Sequence, residues 1–443
     1  MADRDARWQN WARTATCEPV GVMHPSSPSE VAAVVRRAVA DGHRVKAIGA
    51  GHSFTPIGVT DGVLVVMDRL NAVLDVDSVT MQVTVGGGIT LRELSPLLRK
   101  IGLALPNMGD ADPQTITGAI STGTHGTGGN LRGIADAVVG LDLVAGDGRL
   151  MHIGQEDLDL LAAARVGLGA LGIITSVTLQ CVPAFLLHAR EQPMRLGEVL
   201  DDLDGLVADN DHFEFYWFPH TDRTLTKRNN RVPDDRRRRP VGPIGSLIAD
   251  EVLGNGGFEM VNRLALRRRD LVPRLNTLSA RLLSGREYVD DSHNVFVSAR
   301  RVRFREMEYA IPRHQVTATL EEIDSWISSS GEHVTFPVEV RFVAPDDIWM
   351  STGYQRANAY VAVHQYHRMD YRRYFAGVEA IFAQVQGRPH WGKMHTLDAQ
   401  AVRERYPRFD DFVAVRDRLD PLRTFGNDYL DQILGDRLAT RED

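Results

Sequence analysis

Residues 105–130 read LPNMGDADPQTITGAISTGTHGTGGN, and no ordinary element accommodates them. The stretch is too small and polar for a core strand, yet residues 116–120 are too apolar for a plain linker. Its small residues suit a loop whose backbone N–H groups converge on phosphate oxygens. A second loop of this kind lies upstream. VKAIGAGHSF (45–54) is a short apolar strand that runs into a glycine turn. Two such loops in one N-terminal region predict a long cofactor carrying a diphosphate.

The residues around these loops alternate between helix and strand patterns, which predicts a mixed sheet domain. In SSPSEVAAVVRRAVADG (26–42), Ser27 is an N-cap, Pro28 opens the helix, and Glu30 completes a capping box. Val31, Val34, Val35 and Val39 fall on one face, and Gly42 ends the helix. VLVVM (63–67) reads as a buried strand, and VTMQVTVGGG (79–88) as a strand broken by a sharp turn. Thr90 and Glu93 form a second capping box for a helix that contains Pro96 and stops at Gly102. A hairpin is expected around Gly146-Asp147-Gly148, a short helix near 156–165, and a β-rich run over 169–182. Beyond Pro183 the pattern changes. FEFYWF (213–218), HNVFV (293–297), VTFPVEVRFV (334–343) and AYVAVHQY (359–366) read as strands. Helices are expected over 245–285, 316–328, 371–386 and 398–420.

Composition narrows the function. The chain has 443 residues, 43% hydrophobic and 25% charged, with a net charge of −7. That is a globular protein of two or three domains with no global attraction to nucleic acid. Two cysteines, Cys17 and Cys181, exclude a disulfide scaffold and a cysteine-rich metal site. No secretory signal or membrane span is read, so a cytoplasmic protein is expected, with association at a membrane surface left open. The arginine run in RVPDDRRRRPVGP (231–243) is read as a solvated loop. GLGALG (167–172) fits G-x-G-x-x-G by letter, but it precedes a strand instead of opening a helix, so a nicotinamide site is rejected. The pairs His364/His367 and His390/His395 lack carboxylate or thiolate company, and no metal is expected. Glu339 and Arg341 stand at i and i+2 in VEVRF, so both leave the same strand face. A structural ion pair and a catalytic pair both fit that spacing.

Taken in order, AIGAGHSF, VTVGGG, LPNMGDADPQTITGAISTGTHGTG, GLGALGIITSVTLQCV, VEVRF, GRPHWGKMH and LDPLRTFGNDYL resemble the sugar-1,4-lactone oxidases of the vanillyl-alcohol-oxidase flavoprotein superfamily. The resemblance runs through essentially the whole chain, and HWGK is its most particular motif. It implies an α+β fold. Residues 1–183 would be a PCMH-type FAD-binding domain of two subdomains. Residues 184–387 would be a substrate domain with a large antiparallel sheet covered by helices, and residues 388–443 would return to the flavin. By the same resemblance Gly49, Ala50, Gly51, His52, Ser53, Gly109, Asp110, Thr115, Gly118, Ser121, Thr122, Gly123, His125, Ile173, His390 and Lys393 line FAD. His52 stands where many members bond the flavin 8α-methyl covalently, while others hold FAD without that bond.

Glu339, Arg341, Lys393 and His364 are the implied catalytic residues. Arg341 would stabilise charge on the reduced flavin, Glu339 would hold sugar hydroxyls and aim Arg341, and His364 or Lys393 would take the hydroxyl proton. The implied reaction oxidises L-gulono-, L-galactono- or D-arabinono-1,4-lactone. Alditol oxidase, a relative, has a serine at Asp110 and a threonine at Tyr366, which argues against a linear polyol such as xylitol. Gly109 occupies a position where an alanine can block oxygen in relatives. That favours O2 as acceptor, giving hydrogen peroxide, with a dehydrogenase that reduces a cytochrome or dye as the alternative.

Overall fold

A computed structural model describes residues 7–233, 235–240, 257–298 and 302–435. The chain is α+β, built on three main sheets. A three-stranded parallel sheet has the order Gly21–Met23, Val63–Val66, Val45–Ile48. Helix Pro28–Ala40 makes its crossover and buries Val31, Ala32, Val35 and Ala38, while Val34 and Val39 stay half-buried. Ser27 caps it as expected, but the box is displaced by one residue. The Glu30 carboxylate accepts from the amide and hydroxyl of Ser26, not from the Ser27 amide.

A five-stranded antiparallel sheet follows, ordered Leu150–Ile153, Val138–Val144, Ile173–Gln180, Gln82–Gly86, Val73–Asp77. The hairpin at Gly148 (φ +76°) joins its first two strands. Helix Leu91–Lys100 carries the full Thr90/Glu93 capping box and buries Leu91, Leu94 and Leu98. Pro96 is tolerated within it because it faces solvent, where the carbonyl it leaves unpaired can meet water. The C-terminal helices Ala399–Arg405, Phe409–Leu419 and Asp428–Leu434 place Val402, Phe412 and Ile433 in the core of this sheet. The end of the chain thereby returns to its N-terminal half.

The third sheet has eight antiparallel strands. Its order is Arg286–Asp291, Leu186–Arg195, Arg223–Val232, His212–Trp217, Val338–Val343, Asn358–Tyr366, Phe304–Pro312 and Arg388–Pro389. Along its central strands the side chains separate cleanly by parity. Phe213, Phe215, Trp217, Met307, Tyr309, Val338, Val340, Phe342, Val361 and Val363 pack against helices Leu203–Ala208, Val316–Ser330 and Arg372–Gln384. The alternate residues Glu214, Tyr216, Glu306, Glu308, Glu339, Arg341 and His364 share the other face, as the ladder pairs Glu214↔Arg341, Tyr216↔Glu339 and Glu306↔His364 require.

Two expectations fail here. HNVFV is not a strand; Ser292–Phe296 is one helical turn. Asp290 accepts from the amide of Asp291 and the side chain of Asn294, and such acidic turns compete with strand pairing. The strand Phe304–Pro312 was not foreseen. Of the helical stretch expected over 245–285, Gly257–Arg267 and Val272–Arg281 are helices, and residues 245–256 lie outside the described residues. The described arginines of the 236–239 run are exposed.

Candidate active site

Strand Val45–Ile48 ends in the turn 49–53, and this turn faces the short helix Ile116–Ser121 capped by Thr115. Among the described residues, the amides of Ala50, Gly51, His52 and Ser53 donate to no protein acceptor. Four unpaired donors in one turn form a cradle for anionic oxygens. The two loops touch so closely that a Cβ on Gly49 would lie 2.2 Å from Thr115 Oγ1. Gly51 has φ +67°, a conformation open mainly to glycine. Gly49, Ala50, Gly51, His52, Ser53, Thr115, Gly118, Ser121, Thr122 and Ile173 all line the cavity between these loops. Gly123 does not; it turns the chain out of the helix with φ +76°. Leu168, Gly169 and Gly172 of the rejected GLGALG stretch do line it. That stretch leads from helix Leu158–Arg165 into strand Ile173–Gln180, the reverse of the nicotinamide motif, and contributes surface instead of a helix N-terminus.

His52, Ser53, Gln114 and Thr122 also border a second cavity of about 460 Å³. The two spaces therefore adjoin at these residues, one beside the glycine turns and the other beside the charged face of the large sheet. Gly109, Asp110, His125, His390, Lys393, Arg341, Glu306 and Glu308 line this second cavity. The loop 390–394 ties the parts together. Phe54 N–H donates to Gly392 O at 2.7 Å, His390 N–H to Glu308 O at 3.0 Å, and Met394 N–H to Glu306 O at 2.9 Å. Glu339 and His364 border a third cavity of about 300 Å³, which shares Ser298 and Phe304 with the second.

Arg341 is 7% exposed and is held by three carboxylates. Its Nε donates to Glu214 Oε2 at 2.8 Å, and its Nη2 pairs with Glu339 and lies 3.5 Å from Asp110 Oδ2. Burial works against its charge, but Glu339, Glu214 and Asp110 outweigh it and hold the guanidinium well above its ordinary value. Burial likewise opposes ionisation of Glu214, yet Arg341 and Lys227 keep it below the usual carboxylate range. Tyr216 donates to Glu339 Oε1 at 3.1 Å. Lys393 Nζ lies 2.5 Å from Glu306 Oε2. His125 Nδ1 meets Gly126 O at 2.8 Å while its Nε2 faces Glu308 at 3.5 Å. Burial pushes His390 down to about 3, so its ring is neutral at physiological pH. Burial and the nearby Lys393 charge lower His52 as well, and the Trp11 ring stacks on it at 5.7 Å.

The sequence-based expectation brings Glu339, Arg341, Lys393, His364, Asp110, His125 and His390 to one region. It missed Glu214, Tyr216, Glu306 and Glu308. Their signal is an acidic or hydroxylated residue alternating with apolar ones, Glu214 and Tyr216 between Phe213, Phe215 and Trp217, and Glu306 and Glu308 around Met307 and Tyr309.

Four unpaired amides, paired glycine turns and an adjoining cavity with a buried cation fit FAD, an extended dinucleotide with a diphosphate and a redox ring. The fold and site are those of an FAD-dependent oxidoreductase. Residues 19–154 match the FAD binding domain family, and residues 177–433 match the D-arabinono-1,4-lactone oxidase family. The chain belongs to the D-arabinono-1,4-lactone oxidase family. It is 45% identical to L-gulono-1,4-lactone dehydrogenase of Mycobacterium tuberculosis, over 97% of this chain and 99% of that one. It is 35% identical to L-gulonolactone oxidase of Bos taurus, over 97% and 98%. Cholesterol oxidase from B. sterolicum shares the fold at TM-score 0.83 and 18% identity, over 98% and 97% of the two chains.

Proposed function

We propose that this chain oxidises a secondary alcohol of a sugar 1,4-lactone, of the L-gulono-, L-galactono- or D-arabinono- type, with O2 as acceptor. The observation that carries the reading is the buried Arg341, shared by Glu339, Glu214 and Asp110, at the cavity that adjoins the glycine turns. The names of the relatives support the lactone. In this reading residues 1–183 hold the cofactor, 184–387 the substrate, and 388–443 bring His390 and Lys393 between them. When bound, FAD supplies the hydride acceptor.

The turn at Gly49, Ala50, Gly51 and Ser53 and the loop at Thr115, Gly118, Ser121 and Thr122 bind the diphosphate side. His52, at the junction of the cavities and held neutral, is positioned as the nucleophile for a bond to the flavin 8α-methyl. Arg341 places fixed positive charge where negative charge develops, and its three carboxylates keep the fork in one orientation. Glu339 accepts hydroxyl hydrogen bonds from the sugar. His364 or Lys393 takes the proton of the reacting hydroxyl. Asp110, 3.5 Å from Arg341, adds an acceptor for a further hydroxyl.

Gly109 carries no side chain into the cavity, which supports the O2 reading. The dehydrogenase name of the Mycobacterium tuberculosis relative favours a second reading, electron transfer to a cytochrome or dye. Among the described residues no helix is long and apolar enough to cross a membrane.

One paired experiment tests both. The purified flavoprotein is mixed anaerobically with L-gulono-1,4-lactone, then exposed to air. Bleaching near 450 nm followed by fast recovery and peroxide is expected. Bleaching with slow recovery selects the dehydrogenase, and no bleaching by any of the three lactones refutes the substrate assignment.

A further inference from the structure

His364 and Lys393 reach the site from different parts of the chain, and one carboxylate stands between them. Glu306 is 2% exposed and lies directly opposite His364 across the ladder of strands Phe304–Pro312 and Asn358–Tyr366. Its Oε2 is 2.5 Å from Lys393 Nζ, and its Oε1 is 3.4 Å from His364 Nε2. His364 Nδ1 is 3.2 Å from the carbonyl of Pro337, which can only accept, so Nδ1 carries a hydrogen. The other ring nitrogen, Nε2, is the one that can gain or lose a proton. It faces Glu306 and, at 4.0 Å, Glu339. Among the described residues, other charged or titratable groups near Glu306 include Arg341 behind Glu339, Glu308 on its own strand, and His390 beside Lys393.

We propose that Glu306 is the positioning residue of proton removal, joining His364 and Lys393 into one unit. The inference rests on the reading that a CH–OH group is oxidised in this cavity. Oxygen Oε2 engages Lys393 Nζ at 2.5 Å, which leaves His364 Nε2 as the acceptor. The substrate O–H bond breaks and its proton goes to Nε2. The freed electron pair becomes the second bond of the C=O group, and the hydrogen of the adjacent C–H leaves as hydride to FAD. The substrate loses one proton and one hydride, and the imidazolium that results lies against Glu306 and Glu339. Glu306 thus acts through His364, by offsetting the charge that arrives there, and through Lys393, by fixing its head.

The test is an anaerobic stopped-flow comparison of the wild-type flavoprotein with Glu306→Gln, His364→Gln and the double variant. The donors are the three lactones and xylitol. Glu306→Gln is expected to lower the limiting rate of flavin bleaching about 100-fold, with little change in the donor concentration giving half that rate. In the His364→Gln background the same change is expected to cost less than about threefold. Glu306→Asp, which keeps the carboxylate, is expected to recover part of the rate. The proposal is overturned if Glu306→Gln multiplies through equally in both backgrounds, or changes only the donor dependence. If Glu306→Gln yields no flavin-loaded protein, the cycle is run with Glu306→Asp and judged by the same criterion. Bleaching by xylitol alone refutes the lactone reading and leaves the cycle readable. Bleaching by no donor overturns both.

Discussion

Arg341→Met should separate the structural from the chemical work of the buried cation. In the native chain Glu214 is 2.8 Å from Arg341 Nε and 3.3 Å from Lys227 Nζ, while Glu339 shares Arg341 with Asp110. Removing one partner of a buried ion pair leaves charge uncompensated and destabilises by about 3–5 kcal/mol. The loss should depend on pH, with a sign that follows from Glu214. Its native pKa lies below its unfolded value, so its contribution is present above that unfolded value, 4.5, and is lost as pH falls through the native one. Without Arg341, burial gains weight and Glu214 shifts upward. The deficit of Arg341→Met should therefore be largest near about pH 7.5 and shrink toward about pH 5, where Glu214 takes a proton. Apparent melting of the flavoprotein at a fixed scan rate measures it, with Glu214→Gln/Arg341→Met as the partner variant. An equal deficit at both pH values, or a double variant as unstable as Arg341→Met, would refute the argument. Arg341→Lys should keep most of the stability yet slow flavin bleaching at least about 100-fold, because the planar fork is lost.

Three further outcomes are expected. Gly109→Ala puts a Cβ 3.1 Å from the His125 carbonyl oxygen and 3.3 Å from Thr124 Cγ2; it should destabilise by about 1–3 kcal/mol and slow re-oxidation in air while anaerobic bleaching by lactone is kept, as a stopped-flow pair would show. Acid precipitation should carry flavin down with the wild type but leave it in solution for His52→Ala, and a colourless wild-type pellet would exclude the covalent bond. Burial lowers Lys46 to about 7 from 10.5 even though Asp420 opposes the shift, so native stability should rise between those pH values; Lys46→Met should abolish that rise in urea titrations across the range.

The cofactor side of the site was legible because its requirement is local. An unpaired-amide turn needs glycine at Gly49 and Gly51, and Thr115 caps a helix only one residue away, so the letters themselves carry the geometry. Glu339 and Arg341 were legible for the same reason, since two positions on one strand share a face. Glu214, Glu306 and Glu308 were not. Each becomes part of the site only through strand pairing with residues remote in sequence, and alternation alone does not say which face meets helices and which meets a cavity. HNVFV failed on length, because five residues cannot separate a strand from one helical turn when acidic residues precede them. GLGALG failed differently. Its nicotinamide reading was excluded correctly by element order, but a glycine turn can line a cofactor path without being the motif its letters spell.

The parity of the eight-stranded sheet also bears on how such a site changes over time. Alternate residues of each central strand, odd-numbered on 212–217, 304–312 and 358–366 and even-numbered on 338–343, are locked into the helix-covered core, whereas their neighbours face the cavity side. A substitution at Glu214, Tyr216 or Glu306 alters the site without altering the helix-covered core, and one at Phe215 or Met307 does the reverse. Chemistry and folding are thus written in two alphabets interleaved residue by residue. A library confined to the cavity-side residues of each strand would search new donors on an intact scaffold, while a one-residue slip in register would put carboxylates against Phe213 and Val340 and be rejected during folding.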